Sequence, residues 1–270
     1  MKYFLHLAYK GTHYRGWQRQ PKAVSIQQRL EETLQKVCRQ PLLCSSCGRT
    51  DAGVHASQFF CHFKTEADLP DQLVNLLNRQ LPSDIRVYEL INVAPTAHAQ
   101  NDAIHRTYDY HCHLQVDPFL SELSTYWPVA EPLWAEMQEA VKLLQGEQDF
   151  RAFCKQADLY KHTTCQVQEA TLSIHPSGHR MRFRITADRF LRAMVRLLVG
   201  NLLEIGAGRL TVTQFRDSLE HGSPLPHYKA AYPQGLYLAK VGYPYLQRKA
   251  STVLDWTKTM EGSNCDEPAN

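Results

Sequence analysis

The residues whose types and spacing could do chemistry lie in one short loop around Asp51. The stretch from Cys47 to Phe63 reads CGRTDAGVHASQFFCHF and places this single acid among small residues, between two apolar runs. Glycine accepts unusual backbone angles and lets a ligand approach the chain closely, so such a loop suits function better than packing. Asp51 is a candidate nucleophile or general base, because a carboxylate is ionised at neutral pH. The alternative is a turn residue whose side chain accepts hydrogen bonds from nearby backbone N–H groups.

Two other kinds of chemistry are only weakly indicated. No second carboxylate lies close to Asp51 in the sequence, which argues against the acid–base pair of a glycosidase. Cys44 and Cys47 have the CxxC spacing of zinc and thiol sites, but a lone CxxC is a weak signal. We therefore expect the eight cysteines to be free thiols and expect no metal site.

Length and composition describe an ordinary globular chain. With 270 residues, of which 43% are hydrophobic, the chain can form one large domain or two of ordinary size. A formal net charge of +3 says little about partners, so a case for nucleic acid must come from local clusters of charge. No run of about 18 apolar residues suggests a membrane span. The start of the chain lacks the features of a signal peptide, and we expect a cytoplasmic protein without a membrane partner.

Hydrophobic periodicity predicts the elements that must position the Asp51 loop. Alternation of apolar and polar residues predicts strands, and a spacing of three or four predicts helices. The predicted strands span residues 2–9, 58–63, 85–93, 106–116, 167–175, 180–186 and 236–241. The predicted helices begin at Ser25, span 71–79, run from Pro132 to Gly146 and from Phe190 to Ile205, and open again at Thr211.

Each half of the chain mixes strands and helices in a similar order. This order predicts two related α+β subdomains that share or abut their sheets, with a cleft between them. We assign residues 1–100 to an N-terminal subdomain that carries the Asp51 loop, and residues 101–247 to a C-terminal subdomain. Residues 248–270 lose periodicity and turn polar, which predicts a tail.

Positive charge is concentrated in one segment of the C-terminal half. Six arginines and a single acid, Asp188, lie between residues 180 and 196. Alternation puts three of the arginines on one face of a strand, and helical spacing puts the other three on one face of the following helix. The strand arginines are Arg180, Arg182 and Arg184, and the helix arginines are Arg189, Arg192 and Arg196.

A second basic segment spans residues 10–20, where basic residues are interleaved with aromatic residues. Cations neutralise phosphates and aromatic faces stack on bases, so the two segments together predict RNA binding. The alternative for each segment is a solvated charged face. The candidates in this second segment are Lys10, Arg15, Trp17 and Arg19.

The string from Gly48 to Ala56 resembles the active-site motif of the tRNA pseudouridine synthase A family, whose aspartate is catalytic. The nine positions are consecutive, which makes the motif specific. The resemblance continues, in the family's order, through residues 11–20, 25–27, 78–82, 149–153, 194–196 and 235–238. It therefore covers roughly the first 245 residues of the chain.

The resemblance implies an isomerase that converts uridine to pseudouridine in the anticodon stem-loop of tRNA, at tRNA positions 38, 39 and 40. It implies no cofactor and no metal. The implied fold is the pseudouridine synthase fold, with two ferredoxin-like or RRM-like subdomains, a mainly antiparallel mixed sheet and a central active-site cleft. The family also implies a homodimer, with one tRNA bridging the two subunits.

The resemblance assigns roles to three residues. Asp51 matches the catalytic aspartate, and Tyr108 matches the tyrosine that stacks on the target base. Arg196 matches the arginine that pairs with the aspartate, orients it and keeps it ionised. The alternatives are a core aromatic for Tyr108 and a phosphate contact for Arg196. The substrate-binding candidates are Tyr108, Arg49, Gln100, Arg180, Arg182, Arg184, Arg189, Arg192, Lys10, Arg15, Trp17 and Arg19.

The chain departs from the family pattern at two positions. Gln100 stands where the family has an arginine that helps displace the target base, and Lys10 stands in place of an aspartate. An amide can hydrogen-bond a phosphate but cannot replace the charge, so we expect RNA binding to depend more on the arginine-rich strand and helix. Two other functions remain open from the sequence: a tRNA-binding protein or folding chaperone without activity, and a thiol or zinc protein built on Cys44 and Cys47.

Overall fold

The computed structural model describes residues 1–224, 229–246 and 248. Its strands are β1 (Lys2–Tyr9), β2 (Ser45–Ser46), β3 (His55–Lys64), β4 (Ile85–Val93), β5 (His105–His113), β6 (Thr125–Tyr126), β7 (Gly146–Asp149), β8 (Thr164–Ile174), β9 (Arg180–Ala187) and β10 (Leu236–Gly242). Its α-helices are α1 (Ile26–Cys38), α2 (Leu73–Gln80), α3 (Trp134–Lys142), α4 (Met194–Gly206) and α5 (Val212–Glu220). Short 3₁₀ helices span Arg151–Phe153, Ala157–Leu159 and Pro233–Gly235.

The strands of the described residues form one sheet in the order β4-β1-β3-β10-β5-β9-β8-β7. Two short strands lie off this path, β2 beside β3 and β6 beside β5. Neighbours along the path are antiparallel, except that β10 runs parallel to β3. The expected α+β class with a mainly antiparallel mixed sheet is therefore confirmed.

Two hydrophobic clusters lie along this sheet, one in each half. The first includes Leu30 of α1 and Leu77 of α2, and the second includes Phe183 of β9 and Leu198 of α4. Strand β10 joins the halves, because it pairs with β3 on one side and with β5 on the other. The division at residue 100 stays a prediction, and the predicted tail lies outside the described residues apart from residue 248.

Local sequence signals explain several boundaries. Helix α1 follows Ser25, whose Oγ accepts a hydrogen bond of 3.2 Å from the backbone N–H of Gln28, as the capping pattern predicts. Helix α5 follows Thr211, which forms a capping box with Gln214. The alternation in β9 buries Met181, as predicted from its apolar face.

The helix predicted from Phe190 begins later, at Met194, which corrects the expectation for Arg189 and Arg192. Both arginines lie in the segment before α4, because its backbone bonds to other parts of the chain. The N–H of Lys155 donates to the carbonyl of Arg192 at 3.0 Å. Ala193 then adopts a left-handed conformation with φ of 61° before α4 begins.

Two expectations about absent features can be compared with the described part of the chain. None of its helices is long and apolar enough to cross a membrane. Within the same residues, no three or more His, Cys, Asp or Glu side chains are grouped so that they could hold a metal ion. Cys44 and Cys47 are buried free thiols, and burial raises the pKa of Cys47 to about 12.

Candidate active site

The Asp51 loop, residues 47–54, connects β2 to β3 near the middle of the sheet. Its turn is closed by the N–H of Val54, which donates to the carbonyl of Asp51 at 3.2 Å. Just before the acid, Thr50 is buried and its hydroxyl is hydrogen-bonded to that of Tyr9 at 2.9 Å. The Asp51 side chain keeps an exposed fraction of 44%. The loop therefore anchors its backbone in the core and leaves the carboxylate accessible.

The loop of residues 10–20 packs against the Asp51 loop and holds it. The N–H of Trp17 donates to the Thr50 carbonyl at 3.2 Å, and the N–H of Gly53 donates to the Tyr14 carbonyl at 3.2 Å. Gly16 has φ of +83°, and a Cβ at this position would lie 2.4 Å from the Thr50 carbonyl oxygen. Only glycine permits this approach, so Gly16 sets how closely the two loops pack.

The Asp51 carboxylate is paired with Arg196 in the first turn of α4. The Arg196 Nη1 lies 3.1 Å from Asp51 Oδ2, and the Arg196 Nε donates to the Ala231 carbonyl at 2.7 Å. Only 19% of the Arg196 side chain is exposed. A guanidinium bonded at both ends has a fixed direction, so it orients the carboxylate. The structure thus brings together two of the three residues for which the resemblance predicts a role.

Tyr108, the third, lies on β5 at the join between the two halves. It is partly buried and packs against both hydrophobic clusters. The ring of Phe190 meets it edge to face, with 5.0 Å between the ring centroids. Burial raises the pKa of Tyr108, so the phenol is neutral at pH 7.

His55, which follows the Asp51 loop at the start of β3, connects three segments. Its Nδ1 accepts a hydrogen bond of 3.0 Å from the Gly11 N–H, so the ring proton lies on Nε2, which donates to the Gln234 carbonyl at 3.1 Å. The residue is 1% exposed. Burial lowers the pKa of His55 to about 4, so the ring is neutral at pH 7.

Arg106 is a site-forming residue that sequence reasoning missed. Its guanidinium donates four hydrogen bonds to backbone carbonyl oxygens, at 2.7 to 3.1 Å. The acceptor carbonyls lie in three segments: the start of the Asp51 loop, the residue after β9, and the connector before β5. They are those of Cys47, Asp188, Gln100 and Ala103. Strand periodicity could have predicted this role. Arg106 lies two residues before Tyr108, so both side chains project from the same face of β5.

The predicted arginine face of β9 is not an open surface. Arg184 makes two hydrogen bonds of 2.7 Å to Asp109 on the neighbouring strand β5. Arg182 is 8% exposed, and Arg180 lies 3.5 Å from Asp117. Alternation places all three on the correct face, but Arg184 is paired across the strands and Arg182 is buried, which leaves Arg180 with a side chain 47% exposed.

The basic segment at residues 10–20 also differs from the expectation of an aromatic RNA surface. Trp17 is 2% exposed and its ring packs on Phe59, with 4.2 Å between centroids, which corrects its predicted role as a stacking residue. Lys10 pairs with Glu122 at 2.7 Å, and Arg19 lies 3.5 Å from Glu31.

Other candidates remain at the surface. Arg15 and Arg49 are exposed, and no side-chain ion pair joins either to another described residue. The Gln100 side chain is exposed, while its backbone is bonded to Arg106. Arg189 is partly exposed and lies over the ring of Tyr160, with 5.8 Å from its Cζ to the ring centroid.

Comparisons with known proteins show which family the chain resembles. Residues 140–244 match a family model described as tRNA pseudouridine synthase. The chain is 41% identical to the tRNA pseudouridine synthase A of Porphyromonas gingivalis over 248 aligned residues. The alignment covers 90% of this chain and 97% of that relative. Identity to the protein of the same name from Parabacteroides distasonis is 42%, over 90% of this chain and 96% of the relative. The protein of the same name from Bacteroides thetaiotaomicron is 38% identical, over 98% of this chain and 99% of the relative.

Proposed function

The chain belongs to the tRNA pseudouridine synthase A family and is an isomerase of uridine in tRNA, and we propose that Asp51 is its catalytic carboxylate. The observation that carries this assignment is the 3.1 Å bond between Arg196 Nη1 and Asp51 Oδ2. It joins residues 145 positions apart, so the fold itself assembles the pair. An oriented carboxylate with an exposed fraction of 44% can reach a nucleotide that has left its stack.

The reaction breaks the N1–C1′ bond of the target uridine and forms a C5–C1′ bond. A carboxylate can begin it by attacking C1′, which displaces the uracil and forms an ester with the sugar. Alternatively it can remove the C2′ proton as the uracil leaves, which gives a glycal whose C2′ regains that proton when C5 joins C1′. The freed uracil then turns, C5 joins C1′, and a base removes the C5 proton while N1 gains one. The product is an isomer of the substrate, so no co-reactant is consumed.

We assign to Tyr108 the support of the uracil while it is detached. Its phenol is neutral, because burial raises its pKa, and Phe190 fixes the ring from the side. A neutral aromatic ring attracts a base by stacking without directional bonds, so the uracil can be held and still rotate. Arg106 bonds the strand of Tyr108 to the Asp51 loop, which places the two residues on linked segments.

The proposed substrate is the anticodon stem-loop of tRNA, with target uridines at positions 38, 39 and 40. The cations best suited to bind its phosphates are at least partly exposed and have no carboxylate partner among the described residues. They are Arg15, Arg49, Arg189 and Arg192. A homodimer bridged by one tRNA and a cytoplasmic location complete the proposal, and both come from the family resemblance. Sedimentation of the protein with and without tRNA tests the dimer.

The decisive experiment is tritium release from C5-tritiated uridine in unmodified tRNA transcripts. Wild type releases tritium, whereas Asp51→Asn releases none and keeps its RNA affinity within a few fold, because the amide keeps the shape and loses the basicity. Asp68→Asn, which changes an exposed acid outside the loop, serves as the matched control. Absence of release by wild type, with tight salt-sensitive binding, would instead support an RNA-binding protein without activity.

A further inference from the structure

The short segment Ala231–Pro233 is fixed directly beside the catalytic pair. The N–H of Ala231 donates to the Arg196 carbonyl at 2.8 Å, and the Ala231 carbonyl accepts from the Arg196 Nε at 2.7 Å. Pro233 covers the Asp51 loop so closely that a Cβ on Gly53 would lie 2.9 Å from its Cγ. The segment therefore contacts both Arg196 and the turn that carries Asp51.

Tyr232, at the centre of this segment, combines a fixed backbone with a free side chain. Its carbonyl accepts a hydrogen bond of 2.8 Å from the buried hydroxyl of Tyr110. Its side chain is exposed, with a residue exposure of 59%, and makes no hydrogen bond or ring contact within the described part of the chain. The ring contributes no packing to the core, and its place beside Arg196 and the Asp51 loop leaves it accessible to a ligand bound there.

We propose that Tyr232 stacks on a nucleobase that flanks the target uridine, an inference that rests on the proposed function. When the target uridine leaves the helix, its neighbours each lose a stacking partner. An exposed tyrosine on a rigid segment can replace that partner at low entropic cost, since few torsions must be fixed. Exposed cations lie close to Tyr232 and Asp51 in the sequence: Lys229 is three residues before Tyr232, and Arg49 is two residues before Asp51. Cationic side chains next to aromatic rings are the pattern of single-strand RNA sites.

The test combines Tyr232 variants with changes in the RNA. The probes are anticodon stem-loop oligonucleotides with one uridine at position 38, 39 or 40, made intact or with an abasic nucleotide on its 5′ or 3′ side. Tyr232→Ala should raise the Kd and lower kcat/KM about tenfold on intact RNA. Tyr232→Phe should stay within about twofold of wild type. Tyr88→Ala, which removes an exposed ring from the edge strand β4, should change neither value.

The abasic probes decide whether the ring stacks on a base. On the probe that lacks the flanking base, wild type and Tyr232→Ala should bind equally, because the partner of the ring is already missing. Equal losses on intact and abasic RNA would overturn the inference, as would an unchanged Kd for Tyr232→Ala. A change in oligomeric state alone would assign the ring to a protein contact and overturn it too.

These outcomes are separable from failure of the proposed function. If wild type forms no pseudouridine in any probe, the proposed function fails. The binding comparison between intact and abasic RNA needs no turnover, so it still decides the role of Tyr232.

Discussion

Arg106 Nη2 lies 3.1 Å from the carbonyl oxygen of Cys47, the first residue of the Asp51 loop. This bond ties the strand that carries Tyr108 to the loop that carries Asp51, the proposed catalytic acid. The same guanidinium also bonds the Asp188 carbonyl, at the start of the segment that places Phe190 against Tyr108. We therefore infer that Arg106 is a positioning residue, because it links the segments of the two groups that we propose contact one uridine.

We expect Arg106→Lys to lower kcat far more than it changes the Kd for tRNA. A single ammonium cannot span four carbonyls in three segments, so the loop and Tyr108 lose their common anchor. The free energy of unfolding should fall by on the order of 2 kcal/mol, as buried carbonyls lose partners. Single-turnover assays and urea titrations measure the two effects. Arg29→Lys, in an exposed helical pair with Glu32, is the control.

A structural role for Arg106 without positioning would give a different result. In that case kcat, measured well below the melting temperature of the variant, would match wild type. Equal losses in kcat and in RNA affinity would likewise contradict the positioning role.

Gln100→Arg tests the departure from the family at the connector. The Gln100 side chain is exposed and only its backbone is bonded, so the substitution should leave stability unchanged. We expect tighter tRNA binding and a salt dependence steeper by about one phosphate contact. Gln145→Arg adds the same charge beside the edge strand β7 and should have a smaller effect. If Gln100→Arg alters neither rate nor affinity, position 100 is unimportant for RNA.

The neutral state of His55 predicts a loss of stability in acid. Its pKa is lowered by burial to about 4 in the folded protein, against an ordinary value of 6.5. Between these values the unfolded chain binds more protons, so the free energy of unfolding falls as the pH falls from about 6.5 to about 4. His62, whose pKa burial also lowers to about 4, acts in the same direction.

Urea titrations across this pH range measure the effect. His55→Gln removes one of the titrations that lower stability in acid and should reduce the slope of stability against pH. His13→Gln, which changes a histidine whose side chain is 65% exposed, should keep the wild-type slope. A stability that stays flat or rises on acidification would contradict the prediction.

Gly16→Ala should lower stability and activity by more than the positive φ of residue 16 alone would cause. Gly16 and Gly178 both have positive φ, +83° and +72°, but only at Gly16 would an added Cβ meet a backbone atom, the Thr50 carbonyl oxygen at 2.4 Å. Gly178→Ala should cost about 1 kcal/mol of unfolding free energy from the angle alone. Gly16→Ala should cost more and should lower kcat, because Thr50 must shift together with Asp51. Equal stability and full activity in both variants would show that the loop tolerates the contact.

Much of the fold could be predicted from local patterns. The cap at Ser25, the alternation around Met181 and the glycine-bearing turn at Asp51 each depend on residues a few positions apart. Short-range sterics and hydrogen bonds decide such features, so the sequence determines them directly. The family motif added the catalytic candidates, and the fold brings Arg196 to Asp51 as that motif implies.

Only the tertiary structure decided which charged and aromatic groups are free. Arg184 pairs with Asp109 because β5 lies beside β9, and Trp17 is buried because the first loop packs on Phe59. Helix α4 starts four residues late because the preceding backbone bonds to residue 155. The anchoring of Arg106 and the exposure of Tyr232 depend in the same way on distant segments. The burial and ion pairing of a side chain depend on residues that are distant in the sequence. Local periodicity does not identify those residues, so only the folded structure shows them.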